Sequence, residues 1–213
     1  MKELNLPITR RFASRPVDMH EALKDLASGK IDKIPLGTID FGTSGKDLNQ
    51  SRANGGMVIW SATCLEEKLD SLIIRFIFSC EDSQHQEGKQ FFTTRIMKSD
   101  HLSYAAKKSL IVDIVNRESL LEGRDKADIE KALKDVMDFR NAFAHGEVIF
   151  EEDKGCVLSY WRGGPKRDVL SEEYWSKLES IFNRADQLVE QAFSNLRAVR
   201  EKDKSQPLTI GQG

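Results

Sequence analysis

The chain has 213 residues, 31% of them charged, with 39% hydrophobic residues and a formal net charge of −2. That length supports one domain of good size with appendages, and the balanced charge predicts a soluble chain. It excludes a globally basic nucleic-acid binder, so any such surface must be a local patch.

Residues 1–15 read as extended, and a short helix is predicted from about Pro16 to Ser28, with Met19, Leu23 and Leu26 on one side. Residues 29–56 carry Pro35, Gly37, Gly42, Gly45, Gly55 and Gly56 and read as a long loop or lid. Residues 1–56 together form an N-terminal extension. Within it, Gly42 to Lys46 lacks the glycine spacing and the Ser/Thr after the lysine that a P-loop needs, and is rejected as one. The N-terminal residues Met1 to Asn5 lack the apolar core of a signal peptide, and the longest apolar run, Leu72 to Phe78, is interrupted by Arg75 and too short to span a bilayer. Cys64, Cys80 and Cys156 are odd in number and widely spaced, which reads as reduced thiols in the cytoplasm. His20, His85, His101 and His145 form no pair with metal-ligand spacing, so neither a metal nor a cofactor is expected.

The main domain is expected over 57–202. A first helix from about Met57 to Ser79, apolar nearly all round through Leu65, Leu69, Leu72, Ile73, Phe76 and Ile77, should be central. A second helix spans about His101 to Arg117, with Lys107 and Lys108 on a solvated face. The third starts near Asp125, which reads as its N-cap with Asp128 as capping partner. Its stripe is Ile129, Leu133, Val136 and Phe143, widened by Ala132 and Phe139. Gly146 suits the left-handed position that follows a helix. Val148, Phe150, Val157, Leu158 and Tyr160 predict a small hairpin within about 147–167, turning near Asp153-Lys154-Gly155. Ser171 caps a long last helix that reaches about Lys202, with Leu178, Ile181, Phe182, Ala185, Leu188, Val189 and Phe193 inward. Residues 203–213 read as a disordered tail.

Chemistry concentrates at the end of the third helix, in Asp138-Phe139-Arg140-Asn141-Ala142-Phe143-Ala144-His145-Gly146. Asn141 and His145 are four apart and share a face, while Arg140 sits about 140° from His145 on the ~100° wheel and borders the apolar stripe. A guanidinium there should be half buried and require an acidic partner or an anion. Glu66, on the central first helix, is the first choice for that partner and Asp138 the second. His145 lies where the helix dipole favours its charged form. A guanidinium and an imidazole together suit phosphate binding and proton transfer. Trp161, Arg162, Lys166 and Arg167 mix an aromatic with cations on a turn, which suits stacking a base and pairing phosphate oxygens; the plainer reading is a solvated turn with Trp161 packed on the helices.

The run Arg140-Asn141-Ala142-Phe143-Ala144-His145, with the hydrophobic residues before it and the glycine after it, resembles the signature of the HEPN domain superfamily. The resemblance covers roughly 57–200 in helix pattern. It implies a mainly α fold: an antiparallel four-helix bundle, here with a hairpin between the third and fourth main helices. It also implies metal-independent endoribonuclease chemistry. Arg140 would stabilise charge on the scissile phosphate, His145 would assist proton transfer as the RNA 2′-hydroxyl attacks, and Asn141 would orient either group. Similar members assemble the site across a homodimer, act on RNA in toxin, defence or stress roles, and are in some cases held by a separate antitoxin or regulatory partner. The toxin members that carry a Tyr two residues after the His differ from this chain, which has Glu147 there. Two other readings stay open. One is a non-catalytic regulator or interaction module resembling the mannitol-operon repressor family; the other is a domain that binds RNA or a nucleotide without cleaving it.

Overall fold

The computed structural model describes residues 4, 6, 43–78, 86–99 and 102–205, and the side chains of these except 43, 44 and 202–205. The architecture is mainly helical with a small three-stranded antiparallel sheet. In chain order the elements are α1 (Thr43–Ile77), α2 (Gln86–Phe91) running on into a π-helical turn (Phe92–Met97), α3 (Tyr104–Arg117), α4 (Gly123–His145), β1 (Glu147–Glu151), β2 (Gly155–Trp161), β3 (Pro165–Val169) and α5 (Glu172–Ser205). The expected helix over 16–28 and the stretch 29–42 lie outside the described residues, as do 206–213; residues 203–205, expected in the disordered tail, continue α5 because the helix runs to Ser205.

The centre of the molecule is α1, as its apolar pattern predicts. It packs against α3, α4, α5 and the sheet, and buries Val58, Ala62, Leu65, Leu69, Leu72 and Ile73 at helical spacing. The apolar periodicity predicts that this helix starts at Met57. It begins at Thr43 instead, so residues 43–56 are helix and not loop, and the boundary drawn at residue 56 falls inside it. Glycine lowers helix propensity by only about 1 kcal/mol, and here tertiary packing overrides it. Gly55 lies where a Cβ would stand 2.8 Å from Cδ1 of Phe143, so its missing side chain is what lets α1 approach α4.

Ser103 caps α3 by accepting from the Ala106 amide at 3.3 Å, and Ser171 caps α5 by accepting from the Tyr174 amide at 3.2 Å. The start of α4 differs from expectation. Its N-cap is Glu122, which makes no side-chain cap, and Asp125 and Asp128 are drawn instead to Arg184 of α5, at 2.5 and 2.9 Å. The expected apolar stripe of α4 is buried, including Phe143, which stacks on Trp175 with centroids 5.7 Å apart. On α5, Trp175, Leu178, Phe182, Ala185, Leu188, Val189 and Leu196 complete the core, and Lys68 ties α1 to Asp186 and Glu190.

The hairpin forms where expected, with Val148 opposite Leu158 and Phe150 opposite Cys156. A third strand was not foreseen. Residues 165–169 pair with β2, Tyr160 opposite Lys166 and Trp161 opposite Pro165, although Pro165 and three charged residues carry almost no strand signal. A proline at the first residue of an edge strand loses no ladder hydrogen bond, and the neighbouring strand imposes the conformation.

Candidate functional site

The last turns of α4 carry Arg140, Asn141 and His145 to the surface. Gly146 ends the helix with φ −102° and ψ 174°, an extended conformation, so the left-handed role expected of it is incorrect. The glycine is needed for room. A Cβ there would collide with the Ala142 carbonyl oxygen and lie 2.9 Å from that of Ser159, because the chain turns at once into β1 beneath β2.

Arg140 is exposed, not half buried, and donates to Asn141 Oδ1 at 3.0 Å. The apolar stem follows the edge of the stripe while the head reaches solvent, which removes the need for a buried counter-charge. Neither acid proposed as its partner is bound to it. Glu66 accepts from Lys107 at 2.7 Å. Asp138 is held by Lys134 at 2.9 Å and Arg162 at 2.6 Å. Among the described residues Arg140 meets no carboxylate within ion-pair distance.

Arg140 and Asn141 line one wall of an open cleft of about 650 Å³. Glu66 and Asp70 of α1 also line it, with Met97 and Leu102 from the segment leading into α3 and Tyr104 at the start of that helix. Lys107 lies in its floor. That residue is 4% exposed, whereas the sequence reading placed it on a solvated face. Its ammonium sits 2.7 Å from Glu66 Oε1 and 2.9 Å from Asp70 Oδ1. Burial pulls its pKa down, but the hydrogen bonds it donates to Glu66 and Asp70 outweigh that and hold it above the ordinary 10.5. Burial pushes the Tyr104 phenol up, with Glu66 adding to it; its hydroxyl donates to the Leu133 carbonyl at 3.3 Å. Lys107 and Tyr104 are not among the expected site residues; Asp70, like Glu66 and Glu67, is expected as an acid on the first helix able to face Arg140, and it pairs with Lys107 instead. The available signal was phase: counting back four from Ile111, and seven and eight from Ile114 and Val115, lands on the buried stripe at 107.

His145 does not line this cleft. It is exposed one turn beyond Asn141, and its imidazole has no hydrogen bond or ion pair among the described residues. The four residues of the β2–β3 turn divide. Arg162 is taken up by Asp138 and Arg167 by Glu151 at 2.7 Å. Trp161 is 76% exposed, contrary to the plainer reading that packed it on the helices, and Lys166, opposite Tyr160, is exposed on the other face of the β2–β3 pair.

Among the described residues no group of three or more His, Cys, Asp or Glu is placed to hold a metal ion, Cys64 and Cys156 are free thiols, and no helix is long and apolar enough to cross a membrane. Compared with known proteins, the chain matches no family model, no curated protein and no solved structure.

Proposed function

We propose that this protein is a HEPN-like, metal-independent endoribonuclease built on a four-helix bundle and acting as a homodimer. The observation that carries the reading is the state of the motif itself. Arg140 is exposed at a cleft with Asn141 as its side-chain partner, and His145 is exposed with none. A guanidinium not already neutralised is available to a phosphate, and an exposed imidazole at a helix end is available to a proton. In this scheme Arg140 binds a non-bridging oxygen and steadies the charge that grows in the transition state. His145, from the same or the second copy, assists removal of the 2′-hydroxyl proton. The oxygen attacks phosphorus, the P–O5′ bond breaks, the departing O5′ takes a proton from water, and a 2′,3′-cyclic phosphate and a 5′-hydroxyl result. Trp161 and Lys166 are exposed for stacking and phosphate contact along the strand.

The regulator reading, related to the mannitol-operon repressor family, draws on a different feature. His145 stands outside the cleft that Arg140 and Asn141 line, and Trp60 is exposed on the outer side of α1. An exposed Trp of this kind suits a protein interface.

The test is incubation of purified protein with single-stranded RNA in EDTA, with end-group analysis and light scattering. Cyclic ends, resistance of 2′-O-methyl RNA, a dimer in solution, and loss of cleavage in His145→Ala and Arg140→Lys are expected. His145→Ala should cost no more than about 1 kcal/mol of stability. A His145→Ala protein that cleaves as well as wild type removes the enzyme reading in favour of the regulator.

A further inference from the structure

The cleft beside Arg140 has a floor that phosphate chemistry does not use. Lys107 is buried there between Glu66 and Asp70. An ammonium has three N–H donors and no acceptor, and an ionised carboxylate has acceptor sites alone. The Lys107–Glu66 pair therefore presents a donor beside two acceptor oxygens at one spot. Met97, Leu102 and Met137 give the cleft apolar walls. Its volume of about 650 Å³ falls in the range of small-molecule sites. Two carboxylates against one ammonium leave the floor net negative, and Glu67 adds to that, which directs a phosphate away from it and toward the exposed cations of the lining, Arg140 and Lys98.

We infer that this floor is a guanine-reading subsite, which rests on the ribonuclease reading and supplies its base preference. The Watson–Crick edge of guanine carries the O6 acceptor next to the N1–H and N2–H donors. Lys107 donates to O6, the Glu66 carboxylate accepts from N1–H and N2–H, the base lies between the apolar walls, and Arg140 takes the adjoining phosphate. The other RNA bases do not match. Adenine offers a donor and an acceptor, cytosine a donor and two acceptors, and uracil a donor between two acceptors. Each of them sets an acceptor against a carboxylate oxygen or leaves a floor group unpaired, which is costly in a partly buried site. Asp70 acts as a positioning residue: it holds Lys107 charged and in place when Glu66 turns to the base.

The experiment is titration calorimetry of the full chain, in EDTA, with guanosine, inosine and adenosine 3′-monophosphates. Inosine keeps O6 and N1–H and lacks the 2-amino group. Guanosine monophosphate is expected to bind at least about tenfold more tightly than either of the others, and Glu66→Gln is expected to erase that margin. Equal affinity for the three, no detectable binding, or a Glu66→Gln protein that keeps the full margin overturns the subsite. Should Glu66→Gln fail to fold, guanosine against inosine on the wild type decides alone. Cleavage of single-stranded RNA separates the two proposals. Cutting after every base at equal rate keeps the nuclease and removes the guanine subsite. Guanine-selective binding without any cutting keeps the subsite and removes the nuclease.

Discussion

Gly55 and Phe143 should be coupled, and the size of the coupling follows from their contact. Phe143 is 8% exposed, stacked on Trp175 and set edge-on to Tyr174 at 6.4 Å. Truncating it to Ala should cost roughly 3–5 kcal/mol. For a domain of this length that corresponds to a fall in Tm of about 6–20 °C, taking about 2–4 °C per kcal/mol. Gly55→Ala alone has two opposing effects. It gains about 1 kcal/mol of helix propensity. It also sets a Cβ 2.8 Å from Cδ1 and 3.3 Å from Cε1 of a ring that Trp175 and Tyr174 keep from withdrawing, an overpacking worth about 1–3 kcal/mol. The single variant should therefore be neutral to about 2 kcal/mol destabilised on those two figures. In the Phe143→Ala background the obstruction is gone and the same change should stabilise by about 1 kcal/mol. The double-mutant cycle should show a coupling of about 1–3 kcal/mol, in the sense that the pair is less damaging than the sum. Urea unfolding of the four proteins measures it. Additivity within about 0.5 kcal/mol would refute the reasoning, because it would mean that α1 and α4 do not meet at this point.

Gly146→Ala should destabilise by at least about 1–3 kcal/mol, since its Cβ would meet backbone oxygens of Ala142 and Ser159, which cannot turn aside; a melting temperature equal to wild type would argue against the tight turn into β1. Trp161→Ala should leave stability within about 0.5 kcal/mol yet weaken single-stranded RNA binding by about 1–3 kcal/mol; unchanged RNA affinity in a filter-binding assay would remove the turn from the proposed RNA surface. All three tyrosines titrate above 10.0: burial leads in each case, helped by Glu66 for Tyr104, by the hydrogen bond to Asp168 for Tyr160, and by Asp168 for Tyr174. Because the folded values lie above the unfolded one, the stability these phenols contribute is complete below pH 10.0 and is lost as pH rises through the folded values. Ultraviolet difference spectra should show little phenolate at pH 10.0 in the folded chain, with urea midpoints falling above it. Half-ionised tyrosine at pH 10.0 without unfolding would contradict that.

The helix pattern was legible because burial on one face leaves a period in the sequence. Ile129, Leu133, Val136 and Phe143 on α4, and Leu178, Phe182, Ala185 and Leu188 on α5, name their own inner faces. Ser171 is a local signal too, since a cap is decided within a few residues; Ser103, which caps α3, fell inside the helix expected from His101. The motif Arg140-Asn141-x-x-x-His145 could be read with its placement at a helix end, and Asn141 and His145 follow from four-residue spacing alone. What a one-dimensional pattern does not carry is the identity of partners distant in sequence. Gly55 and Gly56 look like loop residues until Phe143, 88 positions past Gly55, is seen to need the space at Gly55. Glu66 looks like a partner for Arg140 until Lys107 is brought in from α3, and Asp138 until Arg162 arrives from the turn after β2. Strand β3, with a proline and three charges in five residues, exists because β2 offers it an edge. Ion pairs are chosen by which side chains folding brings within a few ångströms, and pairing of a polar strand by the edge already in place. The sequence by itself determined α3, α4, α5 and the second half of α1, their inner faces and the chemical groups at the end of α4; the tertiary structure decided the first turns of α1, the helical stretch 86–97 and which charges those groups face, because charge partners and close approaches are properties of the packed helices and not of any one of them.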